Sequence, residues 1–493
     1  MTRHGILIVS ALAGVTVLYL ALLLFGPTEA LVRTPEYQLP VIRHGLWSRV
    51  PAGALVLGLG LFAIFSLAGK VEELTATRAG RLRLWVALFL AGVACQVGPS
   101  AVHRYGLVEL PLRVYLPDHT SYFTDAARID DLRPWLRNFN SRLSSFATHT
   151  RTHPPGAVLL FYFPLQVMRA SPELSQIIFG RIPRGDTALG MFSIGPPEAA
   201  AGFVMSLFLL AAAAAAVPLA FALVRVFLDD RRALAASALF AAMPGFAQKT
   251  PALDHLLGVI LLASGWLMVT ALRDRKMRRV AVAGALVGAG LWIGTSLLAA
   301  PLFCLLMLGA GIHRFRKPEA RPKTHLGLFL SLTAIFFGSA GAALVLVGAV
   351  LDLNAFDTYQ AITEAGWRFN NEISGRTHAW MWVAWDPYEL LIFSGLPAGA
   401  LAVASWGREA AAVGRRQWDR AQPWLWAIWV FLAALALSGK VVYEASRLAW
   451  FAFPLTAAAA AAALPDEMKT GRTTAVAIVA LTAVSALVFR LLF

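Results

Sequence analysis

Apolar and polar residues in this chain come in long blocks, with none of the short alternation of a soluble fold. Apolar runs near the roughly 20 residues that cross a bilayer recur from end to end. They occupy 6–25, 52–69, 84–102, 199–224, 233–246, 255–272, 280–293, 297–312, 326–351, 388–405, 423–437, 448–464 and 474–493. The pattern predicts an all-α, polytopic transmembrane protein of about thirteen spans, organised as one integral membrane domain over 1–493. A further apolar run, 157–168, is short for a crossing. It is expected to be re-entrant, or to pair with part of 170–198. The first run lacks a small-residue cleavage site and is read as a retained span.

Two polar blocks interrupt the series, at 103–155 and 352–387. Each is too small for a core of its own. In the first, Ile129, Leu132, Trp135, Leu136, Phe139 and Leu143 recur at helical spacing among Arg128, Arg133, Arg137 and Arg142. That is the texture of an amphipathic helix lying in the headgroup layer. The second block carries Trp367, Trp380, Trp382 and Trp385. These rings could stack on sugars, although an interfacial aromatic belt is the commoner use of such residues.

Charge adds an orientation. The net charge is +15, which in a soluble protein would suggest nucleic acid. Here 58% of residues are hydrophobic and 14% charged, and the basic residues are clustered. With the N-terminus inside, the inward segments hold 24 of 43 Lys and Arg but 10 of 28 Asp and Glu. That is the positive-inside bias. It places 103–155 and 352–387 on the external face and, after thirteen crossings, the C-terminus outside as well. The expected setting is the plasma (inner) membrane. Cys95 and Cys304 both lie in apolar runs, so no disulfide framework or cysteine metal cage is indicated.

Candidate chemistry gathers at the external edges. Asp118 follows Pro117, where an apolar run gives way to the first polar block. A partly desolvated carboxylate there suits a general base; capping a helix that begins near Ser121 is the plainer use of the same residue. Asp125 is a comparable candidate, with Tyr122 between the two, while Asp130 and Asp131 read as solvated. Cations suited to a phosphate are Lys249, Lys440 and Arg447, with Glu444 beside the last; simple snorkelling is their alternative. Asp254-His255 stands at another external helix end. His149 and His153 are four apart, but Pro154 breaks the pattern and no third ligand is evident, so no metal is expected.

Asp118-His119-Thr120-Ser121-Tyr122 resembles the Asp/Glu-x-x-x-Tyr pattern opening the first external loop of GT-C membrane glycosyltransferases. His153-Pro154-Pro155, some thirty residues on, is similar to the His-Pro-Pro start of the next helix in the protein O-mannosyltransferase and aminoarabinose-transferase branch. Arg231-Arg232 with Met243-Pro244, and Arg447 before Trp450 and Pro454, resemble later features of that fold. The resemblance implies a GT-C fold and an enzyme without a dissociable cofactor. It would use a polyprenyl-phosphate sugar as donor and an acceptor hydroxyl on a glycan, lipid or protein. Transfer would invert the anomeric centre, with Asp118 as base. Tyr122, His153, Lys249, Asp254, His255, Lys440, Glu444 and Arg447 would face substrate. A membrane transporter or flippase is the competing reading, although such proteins commonly carry paired halves and broken central helices.

Overall fold

The structure, a computed structural model, describes residues 3–26, 46–116, 121–182, 194–248, 250–315, 322–369, 372, 379–417, 421–438, 445–464 and 468–492. Among them there are helices and turns and no strand. Among the described residues, eight helices are long and apolar enough to cross a membrane: Ile6–Phe25, Trp47–Ser66, Arg78–Val102, Pro196–Val224, Leu253–Asp274, Thr295–Phe315, His325–Leu351 and Thr473–Leu492. Gly156–Ala170, Pro423–Leu437 and Ala452–Ala462 are shorter and also apolar. Each expected span overlaps helix, but 388–405 straddles two, with a break between Phe393 and Leu396, and the count of thirteen is not reached by length and composition. Arg278–Leu291 and Asp230–Ala242 have only 14 and 13 residues. At about 1.5 Å per residue they rise roughly 20 Å, against a hydrocarbon core of about 30 Å.

The 196–224 helix stands at the centre, packing against 78–102, 253–274, 156–170 and 230–242. Its buried face carries small residues such as Ala199, Ala200, Ala201, Gly202, Ala213, Ala214 and Ala216, where neighbouring backbones come close. A Cβ on Gly92 would sit 3.0 Å from the Ala214 carbonyl oxygen. Packing this tight is how membrane helices associate when lipid is as apolar as their side chains. The spans over 6–25 and 325–351 are the least enclosed, each 17% buried, and face outward with residues such as Leu18, Val345 and Leu346. Polar contacts cross the interior among the described residues. Gln96 donates to the Leu210 carbonyl at 3.2 Å and accepts from the Thr250 hydroxyl at 2.9 Å.

The first polar block departs from its expected form. The stripe of Ile129, Trp135, Leu136, Phe139 and Leu143 is buried, but within protein and not against headgroups. The segment is broken into Tyr122–Ala127, Leu132–Arg137 and a tight turn over Asn140–Ser145. Asp131 stops any continuous helix by capping the second piece, its carboxylate accepting from the Arg133 amide at 3.0 Å. The pieces fold onto Gly156–Ala170 and onto Ala355–Arg368, a helix within the second polar block. Asp130 and Asp131 are exposed, as the pattern suggested. The leftover apolar run becomes Gly156–Ala170, followed at Ser171 by a second helix, Pro172–Arg181.

The second block ends earlier than its polarity indicated. A helix begins at Ala379, and Trp382 is 1% exposed, which places it in the protein interior instead of an interfacial belt. This helix closes at Phe393 and another starts at Leu396, with Gly395 between them at φ +75°. A side chain there would be strained, and its Cβ would meet Thr482 at 2.8 Å.

Candidate active site

Tyr122 opens the first helix of the segment after residue 120, in the first polar block, and is 5% exposed. Its ring stacks on Phe161 at 6.1 Å and meets His153 edge-on at 5.5 Å, with His149 at 6.3 Å. The loop is closed around this ring by two side chains of the same short segment. Ser121 accepts the His149 amide at 3.1 Å, and Asp125 accepts the Ala147 amide at 3.0 Å. Asp125 is 4% exposed and lies 3.9 Å from Arg128, so its carboxylate is engaged in bracing the loop. The Nδ1 of His153 lies 2.9 Å from the His149 carbonyl, which an N–H there satisfies. Burial pushes His153 down to about 4, with the His149 carbonyl opposing and the Arg447 charge assisting. It is therefore a neutral imidazole near pH 7. Tyr122 is pushed upward by burial and then by the nearby Asp254 charge, which keeps it a phenol.

Arg447 reaches this group from the far end of the chain. It lies on the short helix Ala445–Leu448, which Glu389 fastens by accepting the Ala445 amide at 3.1 Å. Its Nε stands 3.7 Å from Asp254, and its Nη2 stands 3.4 Å from Nε2 of His149. Asp254 occupies the first turn of Leu253–Asp274, where the helix dipole favours a carboxylate. Next to it, His255 is fully buried and accepts the Ala252 amide at Nδ1, 3.3 Å away. The proton is thereby assigned to Nε2, which has no hydrogen-bond partner. The His255 ring lies 4.6 Å from Trp450, whose indole N–H is also without one.

Beneath this group sits a buried ionic knot. Glu109 accepts from Arg113 at 2.7 Å and from Arg490, with His103 at 3.7 Å. Arg113 and Arg490 both donate to one oxygen, the Gln248 carbonyl, at 2.7 and 2.9 Å. The knot thus holds the start of the segment leading to Asp254 and His255.

Four of the sequence candidates, Tyr122, His153, Asp254 and Arg447, are brought together, with His255 alongside. Asp118, Lys249, Lys440 and Glu444 lie outside the described residues. His149 and Trp450 join the group without having been singled out as substrate-facing. The His149/His153 spacing was the available signal for the first; the second was noted only as part of the stretch from Arg447 to Pro454. Glu109, Arg113 and Arg490 were missed because each looks like an ordinary interfacial charge until the fold joins them.

No family model matches the chain, and no curated protein matches it either. Among solved structures it is similar to the oligosaccharyltransferase of Archaeoglobus fulgidus, crystallised in complex with zinc and sulfate. The identity is 14% and the TM-score 0.38, over 68% of this chain and 44% of that one. The chain thus spans less than half the length of that oligosaccharyltransferase. At this TM-score the likeness carries no argument about fold or activity.

Proposed function

We propose that the protein is a GT-C-type membrane glycosyltransferase that moves a sugar from a polyprenyl phosphate to an acceptor hydroxyl at the external face. The observation that carries the reading is the meeting of Tyr122, His149, His153, Asp254 and Arg447. They come from three segments far apart in sequence, the first polar block, the start of Leu253–Asp274 and the short helix Ala445–Leu448. A guanidinium held by a carboxylate and an imidazole is oriented before any ligand arrives. A planar guanidinium suits the oxygens of a phosphate. The idle Nε2–H of His255 and indole N–H of Trp450 add donors nearby, and donors are what an anionic leaving group needs.

In this mechanism Asp118 takes the proton of the acceptor hydroxyl. The freed oxygen attacks the anomeric carbon, and the bond from that carbon to the phosphate oxygen breaks with inversion. The electron pair leaves on the polyprenyl phosphate, whose growing charge Arg447 stabilises. Asp118 is three residues from Ser121, so chain length alone keeps their Cα atoms within about 11 Å. That is compatible with a base at the edge of the same group.

The competing transporter reading has one observation in its favour: the helix broken at Gly395 beside the buried carboxylates Asp386 and Glu389. Interrupted helices line transport sites in many carriers. A binding assay with a radiolabelled polyprenyl-phosphate sugar, followed by acceptor-dependent release of polyprenyl phosphate, separates the two. Arg447→Ala is expected to weaken donor binding by about tenfold or more, the worth of a hydrogen bond to a charged group, while the protein stays folded. Donor affinity unchanged in Arg447→Ala would remove Arg447 from the site. Passage of the intact donor across liposomes with no release would favour transport.

A further inference from the structure

Arg447 rides on a helix of a single turn, Ala445–Leu448. One turn does not hold itself. The N–H groups at a helix start have no partner within the helix, and an isolated turn is unfavourable to nucleate. Its place is therefore set by what grips it at either end. On the C-terminal side the chain sinks into the core, where Ala449 and Trp450 are buried. There the Ala449 amide donates to the Ala445 carbonyl at 2.9 Å, and the Trp450 amide to the Arg447 carbonyl at 3.2 Å. On the N-terminal side the grip comes from another helix: the buried Ala445 amide donates to Oε2 of Glu389 at 3.1 Å.

Glu389 is fully buried, on the helix Ala379–Phe393. That helix is braced on several sides. It packs against Leu396–Gly414 and Pro423–Leu437, Phe393 meets Phe489 edge-on at 5.2 Å, and the Tyr388 hydroxyl lies 3.4 Å from that of Tyr19. A carboxylate on such a support is a fixed acceptor. Hydrogen bonds to a charged acceptor are among the stronger ones, and more so away from water. The guanidinium carried two residues beyond Ala445 has little slack, with Nε 3.7 Å from Asp254 and Nη2 3.4 Å from Nε2 of His149. A misplacement of about 1 Å far from the chemistry can cost about 10² in rate. Burial of a carboxylate on this helix is not enough to grip the turn. Asp386 is 2% exposed and three residues earlier on the same helical face, and neither of its oxygens has a hydrogen-bond partner.

We propose that Glu389 is a positioning residue for the carrier phosphate: through the Ala445 amide it fixes the turn that presents Arg447. The inference rests on the phosphate role given to Arg447 above.

The test measures binding of radiolabelled polyprenyl phosphate, without sugar, to the full chain in lipid nanodiscs. Glu389→Leu and Ala445→Pro remove the contact from its two sides. Leucine offers no acceptor, and proline deletes the amide at the first helical position, where it is tolerated. Each should weaken binding about tenfold or more. Neither should add to the loss in Arg447→Ala, because the group being placed is then gone. Glu389→Gln keeps an oxygen for the amide and should bind nearly as the wild type does. Asp386→Asn, on the same face but gripping nothing, should also bind normally. Thermal melting confirms that each variant is folded; if one of the two contact variants is not, the other decides.

Normal binding in the folded contact variants overturns the proposal while leaving Arg447 on the phosphate. So does a Glu389→Gln as weak as Glu389→Leu, or a contact variant that costs as much in the Arg447→Ala background as alone. An equal loss in Asp386→Asn would trace the effect to the helix as a whole and not to the Ala445 contact, and overturns it too. Unchanged binding in Arg447→Ala removes the phosphate reading, and this inference with it.

Discussion

Glu109→Gln is the most direct probe of how the site is held in place. Glu109 is 4% exposed, and its two oxygens are shared between Arg113 and Arg490, which together hold the Gln248 carbonyl. The amide keeps the size of the side chain but removes the charge facing two buried guanidiniums. Removing one partner of a buried ion pair costs about 3–5 kcal/mol, because the remaining charge is left uncompensated. Unfolding entropy is about 2.1 cal/mol/K per residue, so 493 residues give roughly 1 kcal/mol per degree. The melting temperature should therefore fall by at least about 3–5 °C, and by more if helices persist in the unfolded state. The acid limb gives the second readout. Burial opposes ionisation of Glu109, but the Arg113, Arg490 and His103 charges outweigh it and hold its carboxyl below the usual range. A depressed carboxyl contributes stability above the unfolded value of about 4.3 and loses it as pH falls through the lower folded value. The wild type should accordingly weaken below about pH 4, and Glu109→Gln should lack that part of the slope. Differential scanning fluorimetry in detergent reads both. A melting temperature within about a degree of wild type, with the same acid limb, would refute the reasoning.

Two other tests address frame and loop. Single cysteines placed in 130–150 should react with an impermeant thiol reagent applied outside, and those in 313–325 should not; the reverse pattern would invert the orientation. Asp125→Asn keeps an oxygen for the Ala147 amide and should leave folding and transfer close to normal, whereas Asp125→Ala should make the loop over 145–153 markedly more sensitive to protease.

The membrane helices were legible because a bilayer imposes a single coarse requirement: some twenty apolar residues per crossing. Helix ends were less so. The start at Ala379 was hidden because 379–387, with Asp386 in it, read as the end of a polar loop, and only tertiary packing explains why Asp386 is buried. The stripe from Ile129 to Leu143 had the right periodicity, but periodicity reports which side is covered and not what covers it. A headgroup layer and the helices Gly156–Ala170 and Ala355–Arg368 demand the same pattern. The site shows the same division. Tyr122, His153, Asp254 and Arg447 could be named one by one from their places at helix ends. Their meeting depends on contacts across nearly 300 residues, such as Arg447 with His149, that no local rule encodes.

The transfer mechanism stands or falls on Asp118. Its alternative use is as a helix cap, and Ser121 is the residue immediately before the helix Tyr122–Ala127. Ser121 caps nothing with its side chain there; its hydroxyl receives the His149 amide instead. The two uses separate cleanly in Asp118→Asn, since Asn and Asp cap about equally well while Asn cannot accept a proton. If Asp118 is a cap, the variant should transfer sugar normally. If it is the base, expression and melting temperature should hold while the rate falls by about 10² to 10⁴, the usual worth of general-base catalysis. Donor affinity should survive in either case, because the phosphate contacts belong to Arg447. That split identifies the step affected: a lost rate with retained donor binding places Asp118 on the acceptor, and loss of both would place it on the carrier. A normal rate in Asp118→Asn together with a slow Asp125→Asn would move the base one turn along the loop. Normal rates in both would leave the gathered residues without a base and count against glycosyl transfer itself.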